Sequence, residues 1–242
     1  MLNGRYNQDM KVISAQPNLV AQVHHALISE IALGSLSPGS RIIQEQLAQE
    51  LGVSRQPVQQ ALLLLRNQGV LTDAPGRGLI VAPLDLDYVR NMYDIRAVVE
   101  GLAFRRAAER SAEQARKLGP ALIQYGREAV ASGAASEMIA ADLRFHGFIH
   151  ELARNPLIAP MMEAQWSCTQ RVMGEALLRD GSSRDIWSQH EAMLEAVKDG
   201  DGEQADALAR QHIVDAAAVV IDRLRQDRQG ASNEPVAARH RA

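Results

Sequence analysis

One cysteine, Cys168, stands in the whole 242-residue chain, so no disulfide can form within it. A reducing, cytoplasmic setting is expected. Aromatic residues are scarce at 4%, while Ala and Leu abound, a balance that favours helices over sheets. No apolar run reaches membrane-spanning length, and the first residues lack the apolar centre of a signal peptide, so no membrane partner is expected. Also missing are a Ser/His/Asp set, a phosphate-cradling glycine-rich loop and a dinucleotide fingerprint. Strong net charge is missing too: the total is −3. Residues 1–83 sum to +1 and the remainder to −4, so no strongly basic patch by itself announces a nucleic-acid binder.

The residues present divide into two parts. Residues 1–16 are polar and aperiodic and read as a flexible tail. A helical stripe of Val20, Val23, Ala26, Leu27 and Ile31 follows and stops at Gly34. After the turn "LSPGS" comes a short helix with Leu47, Ala48 and Leu51 facing inward. "LGVS" breaks the chain, and Ser54 is placed to cap the next helix, which buries Val58, Ala61, Leu62 and Leu65. Pro57 falls in its first turn, where no intrahelical N–H is lost. Gly69 ends it, and "VLTDAPGRGLIVA" reads as a hairpin. "PLDLD" (83–87) marks a boundary, with Asp85 or Asp87 able to cap the next helix. Helices are then expected over 86–110, 112–132 with an interruption at Pro120, 135–154, 157–179, 184–198 and 202–227, with a disordered tail from 229. The expected division is thus 17–83 for the first domain and 84–228 for the second. The fold class is mainly α: a winged helix-turn-helix followed by an all-α bundle.

Residues 43–68 carry the case for DNA. A short helix, a glycine turn and a second capped helix make an angled pair whose second member can enter a major groove. Its outward positions are Arg55, Gln56, Gln59 and Gln60. Arg can grip guanine or phosphate, and Gln can pair with adenine. Arg77, between two glycines at the hairpin tip, can reach phosphate or the minor groove, and Arg41 joins the candidate contacts. A Gln-rich face can also be simply solvated.

The stretch "LSPGSRIIQEQLAQELGVSRQPVQQALLLLRNQGVLTDAPGRGLIVA" resembles the DNA-binding domain of the GntR superfamily of bacterial transcription regulators. The matched features include Pro38-Gly39, Gly52-Val53-Ser54-Arg55, Pro57-Val58, Ala61-Leu62 and Gly76-Arg77-Gly78. The resemblance implies DNA contacts at Arg55 and Arg77. Two departures stand out. Gln59 and Gln60 occupy positions where the family usually has Arg then Glu, and Glu45 or Gln46 lies where an Arg is often found. Losing a phosphate-directed Arg predicts weaker or differently specified operator binding.

In the second part, "DLRFHGFIH" places Asp142 and His146 four residues apart on one helix face. His190 and His212 lie on either side of the break "DGDGE". One helix advances about 12 Å from His190 to its end, and an antiparallel one retraces about 13 Å to His212. The two imidazoles are therefore expected at similar heights. One carboxylate and three imidazoles suit a divalent transition metal such as zinc, nickel or manganese. Each histidine taken singly is more often a packed or surface residue than a ligand, and it is their joint spacing that points to an ion. His150 is two turns from Asp142 and rotated away from it, which assigns it to a polar network or the surface. Arg144 is offset towards the surface.

Residues 91–109, 141–156 and 189–213 resemble helices of the FCD effector domain of the FadR-type subgroup. That resemblance implies one ion on Asp142, His146, His190 and His212. It also implies an effector contact at Arg96 of "IRxxxE", a structural partner in Glu100, and a pocket residue at Asn155, which can equally cap a helix. A dication beside Arg96 suits a small organic acid. The expected function is a ligand-responsive transcription regulator that binds double-stranded operator DNA as a homodimer, with coupling through Arg90, Asp94 and the "PLDLDY" junction. A metal-dependent hydrolase-like enzyme is the alternative from another class, but no clear general base stands beside the ligands. A constitutive DNA binder with a purely structural metal site is the third reading.

Overall fold

The structure, a computed structural model, describes residues 18–177 and 184–233. The expected tail at 1–16 lies outside them, as do residues 234–242. The order is α1 (Leu19–Ala32), β1 (Arg41–Ile42), α2 (Gln44–Glu50), α3 (Arg55–Asn67), β2 (Leu71–Asp73), β3 (Leu79–Val81), α4 (Leu86–Ser132), α5 (Ala135–Leu152), α6 (Ile158–Leu177), α7 (Arg184–Asp199) and α8 (Gly202–Asn233).

The first unit packs α1, α2 and α3 around Val23, Leu27, Ile28, Val58, Ala61 and Leu65, with the sheet closing one side. The strand order is β1-β3-β2, all antiparallel, with Thr72 opposite Ile80 and Arg41 also opposite Ile80. The short β1 falls in a stretch read from sequence as turn and helix entry. Two residues carry no detectable period, and only pairing with β3 makes them a strand. Ser54 sits at the N-cap of α3 with extended backbone, but its side chain makes no capping bond. Leu51 is exposed rather than inward-facing.

Asp85 does cap α4, its Oδ1 accepting from the N–H groups of Asp87 (2.8 Å) and Tyr88 (3.0 Å). The 47 residues of α4 bend at Ser111, whose backbone leaves helical geometry (φ −146°, ψ 24°). That bend corresponds to the expected break between 110 and 112. The expected interruption at Pro120 is absent, and helix continues through it. Pro120 lies on an exposed face, where solvent can reach the Arg116 carbonyl that loses its N–H partner.

The bend also secures α5. Ser111 Oγ donates to the Leu152 carbonyl (2.8 Å), and Arg110 donates to the carbonyls of Ala153 (3.0 Å) and Arg154 (3.2 Å). These bonds satisfy carbonyls that the end of α5 leaves open. They fix the helix that carries Asp142, His146 and His150. The main core gathers Phe104, Phe145, Ile149, Met162, Met193, Leu194 and Val197 from α4, α5, α6 and α7. Helix α8 runs to Asn233, into the stretch read as a disordered tail. Polar composition suggested disorder, yet Arg and Gln are good helix formers. Among the described residues no helix is long and apolar enough to cross a membrane.

The two units also touch away from their covalent junction. Buried Arg171 of α6 donates to the Ala82 carbonyl (2.5 Å), just past the hairpin. Gly174, one turn further, lies against the end of α1 so closely that a Cβ there would stand 1.8 Å from the Ala32 carbonyl oxygen.

Candidate functional site

Asp142 and His146 project from one face of α5, and His190 and His212 meet them from α7 and α8. His190 Nε2 lies 3.3 Å from His212 Nε2 and 3.5 Å from Asp142 Oδ1. His146 Nε2 lies 4.0 Å from the same Asp142 oxygen. One nitrogen from each of the three imidazoles falls within 4.8 Å of the others, and all three rings are buried. Ligand atoms around one ion with bonds of about 2.1 Å stand roughly 3.0–3.5 Å apart, so the His190–His212 and His190–Asp142 spacings already match a coordination shell, while His146 would have to move closer to Asp142.

The hydrogen bonds behind the rings aim them. His146 Nδ1–H donates to Glu100 Oε2 (3.2 Å), and His212 Nδ1–H donates to Gln189 Oε1 (2.8 Å). Each bond leaves Nε2 facing the cluster. His146 Nε2 is buried without a hydrogen-bond partner among the described residues. A buried polar atom left this way is costly unless something else satisfies it, and a cation would. The residues present therefore fit a divalent transition metal.

The electrostatics divide the four groups, with His190 and His212 shifted towards the ligand form and Asp142 and His146 shifted towards the protonated one. Burial, with His212 and His146 close by, holds His190 well below the ordinary histidine range. Burial, His146 and Arg96 push His212 down to about 3. Both are neutral near pH 7, as a ligand must be. Burial raises Asp142 despite the opposing pull of His146 and Arg96. Burial alone would lower His146, but Glu100 outweighs it and lifts the imidazole above its usual value. The same pairing, with His150, overcomes the effect of burial on Glu100 and holds that carboxylate well below its usual range.

Glu100 is the residue whose part the sequence left vague. Fully buried, it also accepts from His150 Nε2–H (3.0 Å), and Arg96 Nη2 lies 3.6 Å from its other oxygen. That separation is an ion pair but not a hydrogen bond. Arg96 is buried between the rings of Tyr93 (5.2 Å) and Trp166 (5.7 Å), and its Nε has no hydrogen-bond partner among the described residues. Trp166 also stacks on His150 at 5.8 Å. His150 thus sits in a buried polar network. Asn155 stands at the α5–α6 junction, where its Oδ1 accepts from the Leu157 N–H (3.1 Å). Arg144 is exposed and lies over Tyr125. Arg90 pairs locally with Asp87 (2.7 Å).

In the first unit, Gln56, Gln59, Gln60 and Arg77 are exposed. Arg55 is exposed too, but its guanidinium pairs with Glu45 of α2. Arg41 donates to the Arg77 carbonyl (2.9 Å), which ties β1 to the tip of the hairpin. The arrangement is a helix pair plus wing with polar side chains turned outward at the start of α3.

Residues 19–81 match the family described as bacterial regulatory proteins of the gntR family, and residues 91–215 match the FCD domain. The chain belongs to the GntR family. It is a DNA-binding transcription regulator with an FCD effector domain. The regulator is 28% identical to McbR of Escherichia coli over 149 residues, covering 62% of this chain and 67% of that one. It is 26% identical to the E. coli transcriptional repressor RspR over 209 residues, covering 86% and 90%. It is 28% identical to the Nta operon regulator of Aminobacter aminovorans over 178 residues, covering 73% and 82%. Its fold is similar to that of the solved E. coli McbR/YncC, with a TM-score of 0.76 at 23% identity, covering 86% of this chain and 99% of that one. A GntR regulator from a Rhodococcus species follows at TM-score 0.70 and 20% identity, covering 85% and 99%. Both matched domains, and these relatives, belong to regulators rather than enzymes.

Proposed function

We propose that the effector domain holds one divalent transition metal on Asp142, His146, His190 and His212, and that a small carboxylate binding beside it modulates operator binding. The observation that carries this reading is the convergence of three buried imidazoles, with Asp142 Oδ1 3.5 Å from His190 Nε2 and His146 Nε2 otherwise unsatisfied. Zinc, nickel and manganese all fit the donor set. The ion would supply positive charge and open coordination positions for an organic acid. Arg96, its Nε unsatisfied and its guanidinium set against two rings, would pair with the acid's anionic end, and Asn155 is a further candidate contact.

On the DNA side, Arg55, Gln56, Gln59 and Gln60 would enter the major groove, with Arg77 and the Arg41-braced wing on the flanking backbone. A +1 module makes a weak monomeric binder. A second copy covering the exposed Ile95, Val98 and Leu102 on the outer face of α4 would present two recognition helices to a pseudo-palindrome in the cytoplasm. The route between the sites is α6. Trp166 touches Arg96 and His150, while Arg171 and Gly174 hold the DNA-binding unit. An effector that prefers one setting of α6 would shift the equilibrium between DNA-competent and DNA-incompetent arrangements.

The test is metal analysis together with a thermal-shift screen of small carboxylates, run on the wild type and on His190→Ala. Expected are a bound metal and a stabilising carboxylate in the wild type, both lost in the variant. Full metal content in His190→Ala would overturn the ligand set. Metal without any stabilising carboxylate would favour a structural ion and constitutive DNA binding.

A further inference from the structure

Glu100 Oε2 is shared by two imidazoles from α5, His146 at 3.2 Å and His150 at 3.0 Å. The first belongs to the proposed ligand set and the second does not. We infer that Glu100 is a positioning residue for the metal site: it fixes the His146 ring so that Nε2 faces the ion, and His150 in turn fixes Glu100. The inference rests on the metal reading above and deepens it.

The geometry supports this division of labour. An imidazole can turn about its outer bond, and only a partner at Nδ1 decides which nitrogen faces the ion. Glu100 comes from α4, so its grip on His146 ties the ligand helix to a second helix. On α4, Gly101 lets α8 approach closely, since a Cβ there would stand 2.1 Å from Asp206 Oδ1. His150 sits one helical turn beyond His146, bonds the same oxygen and is closed off by Trp166. Its place in the network is to hold the carboxylate still. This explains why a third polar residue lies on the ligand helix, at the same four-residue interval, yet remains outside the cluster.

The other Glu100 oxygen faces Arg96 at 3.6 Å and is buried without a hydrogen bond among the described residues. One carboxylate thus stands between the residue proposed to meet the effector and a residue proposed to hold the ion. An anion drawing Arg96 away would change the setting of the group that aims His146, so effector and metal would affect each other's affinity reciprocally.

The experiment is a cobalt(II) titration of metal-stripped, full-length protein, followed by visible absorption, on the wild type, Glu100→Gln, Glu100→Ala and His190→Ala. Loss of an outer partner of a metal-bound histidine lowers affinity by about 10–100-fold. Glu100→Ala is expected near the upper end, with an altered cobalt spectrum because the ring can turn. Glu100→Gln keeps an acceptor oxygen and is expected near the lower end. If Glu100→Ala does not fold, the glutamine variant carries the test alone. Folded Glu100 variants that bind cobalt with wild-type affinity and spectrum, while His190→Ala does not, would overturn this inference and leave the metal reading standing. A wild type that binds no cobalt, or binds it no better than His190→Ala, would overturn the metal reading itself.

Discussion

His190 and His212, 22 residues apart in sequence, face each other nitrogen to nitrogen at 3.3 Å across the turn between α7 and α8. Burial keeps both uncharged near neutrality. Two neutral imidazoles this close are joined by at most one N–H···N hydrogen bond, whereas an ion would bind both nitrogens. Metal removal should therefore loosen the α7–α8 pair. A ligand at a hundred times its Kd stabilises by about 2.7 kcal/mol. At about 2–4 °C per kcal/mol, chelation should lower the melting temperature by roughly 5–10 °C. Differential scanning fluorimetry with and without chelator checks this, and His190→Ala should melt identically in both.

The pairing of Arg55 with Glu45 makes a prediction for DNA. Both side chains are well exposed, and such a pair contributes about 0–1 kcal/mol. It nonetheless diverts the one arginine at the start of α3 and places a carboxylate beside the incoming phosphates. Glu45→Gln should tighten DNA binding several-fold and steepen the salt dependence by about one released counterion. Fluorescence anisotropy across a salt series decides it, and an unchanged slope would remove Arg55 from the phosphate contacts.

Gly174→Ala tests the contact between the two units. Within a helix, Gly to Ala ordinarily stabilises by about 1 kcal/mol. Here the new Cβ would fall 1.8 Å from the Ala32 carbonyl oxygen, and backbone cannot step aside as a side chain can. Overpacking of about 1–3 kcal/mol should win, giving net destabilisation. Thermal denaturation reads the sign. A stabilised variant would mean that α1 and α6 separate easily.

Cys168 gives a pH prediction. Burial pushes its thiol up to about 11, against the opposing pull of Arg171 and Arg96. Between about pH 9 and that value, the folded protein keeps a proton that the unfolded chain has lost. Stability should therefore fall as pH rises through this window, and Cys168→Ser should flatten the slope. Tyr93, raised to about 12 by burial, extends the decline above pH 10. At pH 7.5 a thiol reagent should label Cys168 slowly in native protein and quickly in urea.

The helices were legible because burial recurs at helical spacing, as in the run Val58, Ala61, Leu62, Leu65. Asp142 and His146 were legible as a pair because four residues return to one helix face. His190 and His212 emerged from counting rise along two arms of a hairpin. Glu100 escaped that kind of reading. Its bonds to His146 and His150 span 46 and 50 residues, and no local spacing encodes which face of α4 meets α5. Gln189 was missed because a glutamine beside a histidine carries no signal until its partner's helix is placed. Trp166 was missed too, its neighbours being drawn from two other helices. The strand β1 and the unbroken passage through Pro120 depend on tertiary packing, which overrides local preference at both places.

The clamp formed by Arg171 and Gly174 bears on recognition in a further way. A reading head hung on one covalent strand would swivel, and would have to freeze that motion on reaching its operator. This one is gripped near both its first helix and the end of its wing. The freezing is done during folding, so docking loses less entropy. In the proposed dimer, the same hold would limit how far each head could follow half-sites moved apart by an added base pair.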